Sequence, residues 1–173
     1  ITDNSWGNNL RNDVVNGKAN LSAGYHKAAN ADNLVLWAES HDTYMTGDEG
    51  QSSYSVSEEN IMKTWALVAA RADAMGLYFA RPESIEQALG IASATGWDEA
   101  EIQAVNWFHN FFAGKDESVS NEGNISYVER GGEKTRSTES SASGVILVNM
   151  GDGAAQVSVP AHLMADGTYV DQI

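Results

Sequence analysis

The sequence predicts an α/β fold followed by a smaller part made of antiparallel β structure. Within residues 34–80, an apolar run, a helical pattern and a second apolar run follow one another, as in a βαβ unit with a parallel sheet. After about residue 115, short β-rich runs alternate with glycine-containing turns, as in antiparallel sheets. We therefore expect two domains, residues 1–115 and 116–173.

The first part begins with a segment rich in Asn, Gly and Ala, in which Gly7–Val15 could form a short helix. Leu34–Ala38 is a short apolar run between polar residues, which predicts a buried strand of a parallel sheet. Residues 43–56 are rich in Ser, Thr, Gly and Asp, so we predict a loop there.

The clearest helix is predicted over residues 57–75. Ser57 can cap it, two glutamates follow in the first turn, and apolar residues recur at helical spacing. Gly76 is expected to end it. The apolar run Leu77–Ala80 then predicts a second strand, which the following Arg-Pro dipeptide stops.

Another helix is predicted to begin at Asp98, where Glu101 could complete a capping box. Beyond residue 115 the β-rich runs are "ISYVER", "GVILVNM", "AQVSVP" and "GTYVDQI". Both ends of the chain look cut, since it opens on "ITDNSW" and stops on "TYVDQI". We therefore expect a fragment or a processed chain.

The composition is that of a folded protein with an acidic surface. Of the 173 residues, 42% are hydrophobic, which suffices for a packed core. The net charge of −14 and the absence of a Lys/Arg cluster argue against nucleic acid as a partner. No apolar run reaches the length of a membrane span. With no cysteine, the chain has no thiolate metal ligand and no cysteine nucleophile.

Three polar residues, Glu39, His41 and Asp42, follow the first predicted strand. Ligands of parallel α/β sheets bind beyond the carboxyl ends of the strands, so this position makes them functional candidates. The alternative is structural, with Asp42 capping a turn and His41 packing against its neighbours. The His-Asp dipeptide alone leaves both interpretations open.

Other kinds of site have less support. The remaining histidines, His26, His109 and His162, show no metal-ligand spacing, so we predict no metal site. A Ser-His-Asp hydrolase is disfavoured because there is no G-x-S-x-G motif.

The aromatic residues invite a sugar-stacking interpretation, but most of them fit core positions better. Trp65 and Trp107 recur with apolar residues at helical spacing, and Trp37 lies inside the predicted strand. Tyr44, in the predicted loop beyond His41 and Asp42, is the better candidate for a ligand contact.

Three segments, "LVLWAESHDTYMTG", "EENIMKTWALVAARADAMGLYFARPES" and "VNWFHNFFAG", resemble the C-terminal part of the α-amylase family, the large α-glucan-active family of glycoside hydrolases. The resemblance covers nearly the whole chain and is most specific over residues 37–44, which match the motif at the end of the seventh barrel strand. It implies that residues 1–115 are the C-terminal portion of a (β/α)8 TIM barrel. Residues 116–173 would form a small antiparallel β-sandwich domain.

The resemblance also implies roles for two residues. His41 would bind hydroxyls of the glucose beside the cleaved bond. Asp42 would stabilise the transition state of a retaining hydrolase that cleaves α-1,4-glucosidic bonds in starch or related glucans. Glu39 matches a position that is commonly acidic in the family, without a catalytic role.

In the family, the nucleophile is an Asp in a G-x-R-x-D pattern on the fourth barrel strand and the general acid is a Glu on the fifth strand, and neither pattern occurs in this sequence. We therefore expect the isolated chain to be inactive. The resemblance implies as partners an α-glucan substrate and the missing N-terminal part of the barrel, and open sheet edges could also allow self-association. It further implies a secreted, extracellular bacterial enzyme with no cofactor in this chain, and leaves calcium in the complete enzyme open.

Three alternatives remain at this point. One is a non-catalytic glucan-binding module that uses exposed aromatics. Another is a transglycosylase or oligo-glucosidase of the same family. The third is an unrelated structural or interaction domain in which the His-Asp pair is accidental.

Overall fold

The computed structural model describes residues 1–18, 33–45, 53–73, 75–82, 96–132 and 142–173. Along these residues, helices and short strands precede a three-stranded antiparallel sheet. The elements are α1 (Asn4–Val15), β1 (Val35–Leu36), α2 (His41–Met45), α3 (Glu58–Ala69), β2 (Met75–Gly76), α4 (Ala100–Phe111), β3 (Asp116–Glu122), β4 (Ile125–Gly131) and β5 (Gly144–Asn149). The prediction of mixed α/β structure followed by antiparallel β structure is confirmed.

The first part contains parallel strands. β1 pairs in parallel with β2, and Thr2 forms a parallel bridge to Val35 on the other side of β1. Three chain segments therefore run in the same direction, with α3 connecting the last two, as the predicted βαβ unit requires. The second strand begins at Met75, before the predicted Leu77–Ala80, although the Leu77 amide still donates to Leu36.

Helix α3 begins where the sequence predicted and ends earlier. The Ser57 hydroxyl accepts a hydrogen bond from the Asn60 amide, so the predicted cap is confirmed. The helix stops at Ala69 because the following residues turn toward the antiparallel sheet. There Arg71 forms an ion pair with Glu117, and the Ala72 amide donates to the same carboxylate at 2.6 Å.

Gly76 was expected to end α3, and this was wrong. It lies in β2, where an added Cβ would come within 2.9 Å of the Trp65 ring. The missing side chain thus lets the strand approach the helix closely. Trp65 is buried, as predicted, and so is Trp37.

Helix α4 departs from its prediction in two respects. Its N-cap residue is Glu99, which makes no side-chain capping bond, so the capping box of Asp98 and Glu101 is wrong. Trp107 is also not a core residue, because it is 53% exposed and stacks on Phe111, one turn further along the helix.

The antiparallel sheet has the order β3–β4–β5. Two of its strands match the predicted runs "ISYVER" and "GVILVNM", whereas the polar β3 was not predicted. The runs "AQVSVP" and "GTYVDQI" form no strand. Instead, the last segment is attached to the sheet by Glu129, whose buried carboxylate accepts hydrogen bonds from backbone amides of residues 162–164.

Both predicted domains contribute to one hydrophobic core. Side chains of α1, β1, α3 and α4 pack together with Val128 and Val148 of the sheet. Arg130, on β4, is fully buried and donates to the carbonyl oxygens of Ala70 and Phe112, at the ends of α3 and α4. The boundary near residue 115 stays a prediction.

Candidate functional site

The residues predicted to form the site lie just beyond the carboxyl end of β1, where α2 begins. His41 and Asp42 are the first two residues of this short helix. The loop predicted over residues 43–56 is therefore wrong at its start, where residues 43–45 are helical. Residues 46–52 of that loop lie outside the described residues.

His41 and Asp42 are accessible from solvent. Their side chains are 63% and 65% exposed, and His41 Nε2 lies 3.1 Å from Asp42 Oδ1. A contact between two exposed side chains of this kind contributes little to stability, because water competes for both groups. Both side chains can therefore be reached by a ligand from solvent.

Tyr44 lies on the opposite, buried face of α2. Its ring packs against those of Tyr54 and Phe79, with centroid distances of 5.8 and 5.7 Å. Burial raises the pKa of its hydroxyl above the ordinary value, and the nearby Arg81 guanidinium opposes that rise. Tyr44 is only 5% exposed, and a ligand contact for it stays a prediction.

A local network fixes the inner face of α2. The Ser40 amide donates to Thr43 Oγ1 at 2.9 Å, and the Thr43 hydroxyl donates to the Ser40 carbonyl. The Ser53 amide in turn donates to the Thr43 carbonyl at 2.9 Å. These bonds tie the short helix both to the strand end before it and to the segment that follows.

Glu39 has a structural partner that was not predicted from the sequence. Its buried carboxylate accepts two hydrogen bonds from Arg81, from Nε to Oε1 at 2.7 Å and from Nη2 to Oε2 at 2.9 Å. Arg81 follows β2, so the pair joins the ends of two adjacent parallel strands. An acidic residue after one buried strand and an arginine after the next was the signal that could have predicted it.

A second arginine supports the same strand end from α1. Arg11 is 1% exposed and donates to the Ala38 carbonyl at 2.7 Å and to Asn8 Oδ1. Burial lowers the pKa of its guanidinium, an effect that Glu39 opposes and Arg81 reinforces. The strand end is therefore bonded to Arg11 of α1 and to Arg81 beyond β2, while the side chains of His41 and Asp42 are exposed.

The remaining histidines do not join this site. His109 bonds through Nδ1 to the Ala69 carbonyl, the His162 amide donates to Glu129, and His26 lies outside the described residues. In the described part of the chain, no three His, Asp or Glu residues are grouped as metal ligands would be. No helix found there is long and apolar enough to span a membrane.

Comparisons with curated proteins give relatives named alpha-amylase. One, from Butyrivibrio fibrisolvens, is 27% identical over 194 aligned positions, which cover 99% of this chain and 19% of that protein. Another, from Clostridium acetobutylicum, is 30% identical over 133 positions, 76% of this chain and 15% of that protein. No protein-family model matches. The predicted resemblance to α-amylases is thereby confirmed, and the chain spans less than a fifth of the length of these relatives.

Proposed function

We propose, from the similarity to curated α-amylases, that this chain is part of a retaining α-amylase-type glycoside hydrolase. The whole protein would cleave α-1,4-glucosidic bonds in starch or related glucans. The observation that carries the proposal is the exposed His41–Asp42 pair directly beyond a parallel strand, where α/β folds place their ligands.

We propose further that residues 1–115 are the last part of a (β/α)8 barrel. The parallel order of Thr2, β1 and β2 supports this. The exposure of Met75 and Leu77, 67% and 55%, supports it as well. These two residues alternate along the chain with Gly76 and Tyr78, which face Trp65 of α3. The remaining strands of a barrel would cover such an apolar face. Residues 116–173 would then belong to the β domain that follows.

Asp42 would act on the sugar without forming a covalent bond to it. In a retaining mechanism one carboxylate attacks the anomeric carbon while an acid protonates the leaving oxygen, through an oxocarbenium-like state. A further carboxylate that accepts hydrogen bonds from the sugar's 2- and 3-hydroxyls contributes most if those bonds strengthen in that state. Asp42 fits this role, and His41 would bind neighbouring hydroxyls of the same ring.

The nucleophile and the general acid would come from the rest of the protein, because neither motif occurs in this sequence. The isolated chain should therefore not hydrolyse starch. Its partners would be an α-glucan substrate and the N-terminal part of the barrel. We also propose that the whole protein is secreted from a bacterial cell.

The test is an Asp42→Asn substitution in the full-length protein, with starch hydrolysis as the readout. We expect turnover to fall by orders of magnitude while circular dichroism shows an intact fold, because only the transition-state contact is lost. Asp152→Asn, at an exposed turn after β5, is the matched control and should leave turnover unchanged. Unchanged turnover in Asp42→Asn would contradict the role proposed for Asp42. Saturable glucan binding without any hydrolysis by the full-length protein would favour a binding module instead.

A further inference from the structure

The ion pair between Glu39 and Arg81 does more than neutralise a buried carboxylate. Arg81 Nη1 donates to the Val56 carbonyl at 2.8 Å, and Nη2 also donates to the Ser53 carbonyl at 2.9 Å. One guanidinium therefore connects the end of β1, the end of β2 and the segment that follows α2.

Arg81 also contacts α2 itself. Its guanidinium carbon lies 5.3 Å from the centroid of the Tyr44 ring, a cation–π distance. Tyr44 and Thr43 form the buried face of α2, and the Thr43 carbonyl is bonded to Ser53, whose own carbonyl Arg81 holds. The buried face of the helix is thus attached to Arg81 both through the Tyr44 ring and through the backbone.

The orientation of Asp42 follows from this attachment. The helix is five residues long, so it has little stability of its own and takes its position from the contacts of its buried face. Asp42 is the residue directly before Thr43, on the exposed face. Any rotation of Thr43 and Tyr44 relative to the strand ends would displace the Asp42 carboxylate.

We propose that Glu39 and Arg81 are positioning residues that set the geometry of Asp42. This inference rests on the proposed function, in which Asp42 stabilises the transition state. A lysine could keep the charge at residue 81, but it could not bond both carboxylate oxygens and two carbonyls at once, since only a planar guanidinium presents its donors in that arrangement.

The experiment compares Arg81→Lys with Arg71→Lys in the full-length protein. Arg71 pairs with Glu117, with Nε donating to both carboxylate oxygens, away from the carboxyl ends of β1 and β2, and serves as the matched control. We expect Arg81→Lys to lower kcat by about 10²-fold, the usual cost of a small misplacement of a catalytic group, with little change in KM. Arg71→Lys should lower the unfolding midpoint but leave kcat unchanged.

Kinetics are measured well below the unfolding midpoint of each variant, so that loss of folded protein does not count as loss of turnover. If Arg81→Lys does not fold, Glu39→Gln replaces it, because it removes the charge while keeping the shape. Unchanged kcat in the folded variant, or an equal loss of kcat in Arg71→Lys, would overturn the positioning role. Failure of the proposed function would show separately, as unchanged turnover in Asp42→Asn.

Discussion

Two buried carboxylates, Glu39 and Glu129, hold different parts of this molecule by different chemistry. Glu39 accepts its hydrogen bonds from the side chain of Arg81. Glu129 accepts its hydrogen bonds from backbone amides of His162, Leu163 and Met164, at distances of 2.8, 2.6 and 3.2 Å. Glu39 thereby joins the ends of two strands, and Glu129 ties an irregular segment to β4.

The two contacts differ in which substitutions can break them. The Glu39 contact depends on two side chains, so it can be broken from either end, and its loss leaves a buried charge of one sign or the other. The Glu129 contact depends on one side chain only, because peptide N–H groups are present whatever the sequence. The strand-end contact is therefore the more specific of the two, and the tail contact tolerates more sequence change in its partner segment.

The largest effect is expected when Glu39 loses its cation. Arg81→Met should lower the free energy of unfolding by about 3–5 kcal/mol, because a buried carboxylate then remains without its charged partner. Urea unfolding measures this loss. The double variant Glu39→Gln/Arg81→Met should recover part of it, since the carboxylate that Arg81 neutralised is then also removed. A double variant no more stable than Arg81→Met would contradict this account.

A smaller effect is expected at the tail contact. Glu129→Gln should cost about 1–3 kcal/mol, because a carboxamide offers one acceptor oxygen where the carboxylate offered two, and its NH₂ group faces amide donors. Hydrogen exchange at the Leu163 and Met164 amides should accelerate. Glu122→Gln, at an exposed position of β3, is the control. Equal exchange of these two amides in Glu129→Gln and Glu122→Gln would argue against the role of Glu129 in holding this segment.

An alkaline limit on stability is expected from Tyr78, which packs on Trp65 next to the strand ends. Burial, reinforced by Glu39, raises the pKa of its hydroxyl from 10.0 to about 12. Above pH 10 the unfolded chain releases this proton while the folded chain keeps it, so stability falls between pH 10 and about 12. Tyr78→Phe should have a flatter profile of unfolding midpoint against pH over that interval. A profile parallel to that of the unsubstituted protein would contradict the assignment of this pH dependence to Tyr78.

The smallest effect is expected at an exposed pair. Glu59 on α3 contacts Lys63 at 2.7 Å, and the hydrogen bond and charge of Lys63 lower the pKa of its carboxyl. The contribution of this pair is present above the ordinary pKa of glutamate and is lost as the pH falls through the lowered value. Glu59→Gln should leave the unfolding midpoint at neutral pH nearly unchanged, as calorimetry can check, because water screens the pair. A loss of stability as large as that expected for Glu129→Gln would contradict the view that exposed contacts contribute less than buried ones.

Local signals predicted the elements that local chemistry determines. Ser57 before two acidic residues predicted the start of α3, and the alternation of apolar runs with a helix predicted the parallel strands. The end of α3 could not be predicted in this way, since it depends on an ion pair between residues 46 positions apart, Arg71 and Glu117. The same holds for Trp107, whose apolar helical spacing does not reveal that it stays 53% exposed beside Phe111.

The missed strand β3 carried a usable signal. It joins β4 through a two-residue turn, Gly123 and Asn124, with Glu122 paired to Ile125. Glycine followed by asparagine between two extended runs is typical of a tight hairpin, and Gly123 has the positive φ of 57° that such a turn requires. The polar composition of β3 gave no sign of a strand. The strand forms nonetheless, because its pairing with β4 uses backbone hydrogen bonds.

The position of the candidate site could be predicted from the sequence, but its geometry could not. The end of a buried strand indicated His41 and Asp42, which the structure exposes. The burial of Tyr44 depends on Arg81, Tyr54 and Phe79, all from other segments of the chain. Its ring therefore faces inward, although His41 and Asp42 of the same short helix are exposed.

Arg130 bears on how this molecule could be recombined with relatives. Its guanidinium, delivered from β4, bonds the carbonyl oxygens of Ala70 and Phe112, where α3 and α4 end, and of Lys115. A chimera joined near residue 115 would take this arginine and the helices that accept its hydrogen bonds from two different parent proteins. A sheet from a relative would fit these helices only if it carried an arginine at the equivalent place, so a successful crossover has to keep the helix ends and β4 together.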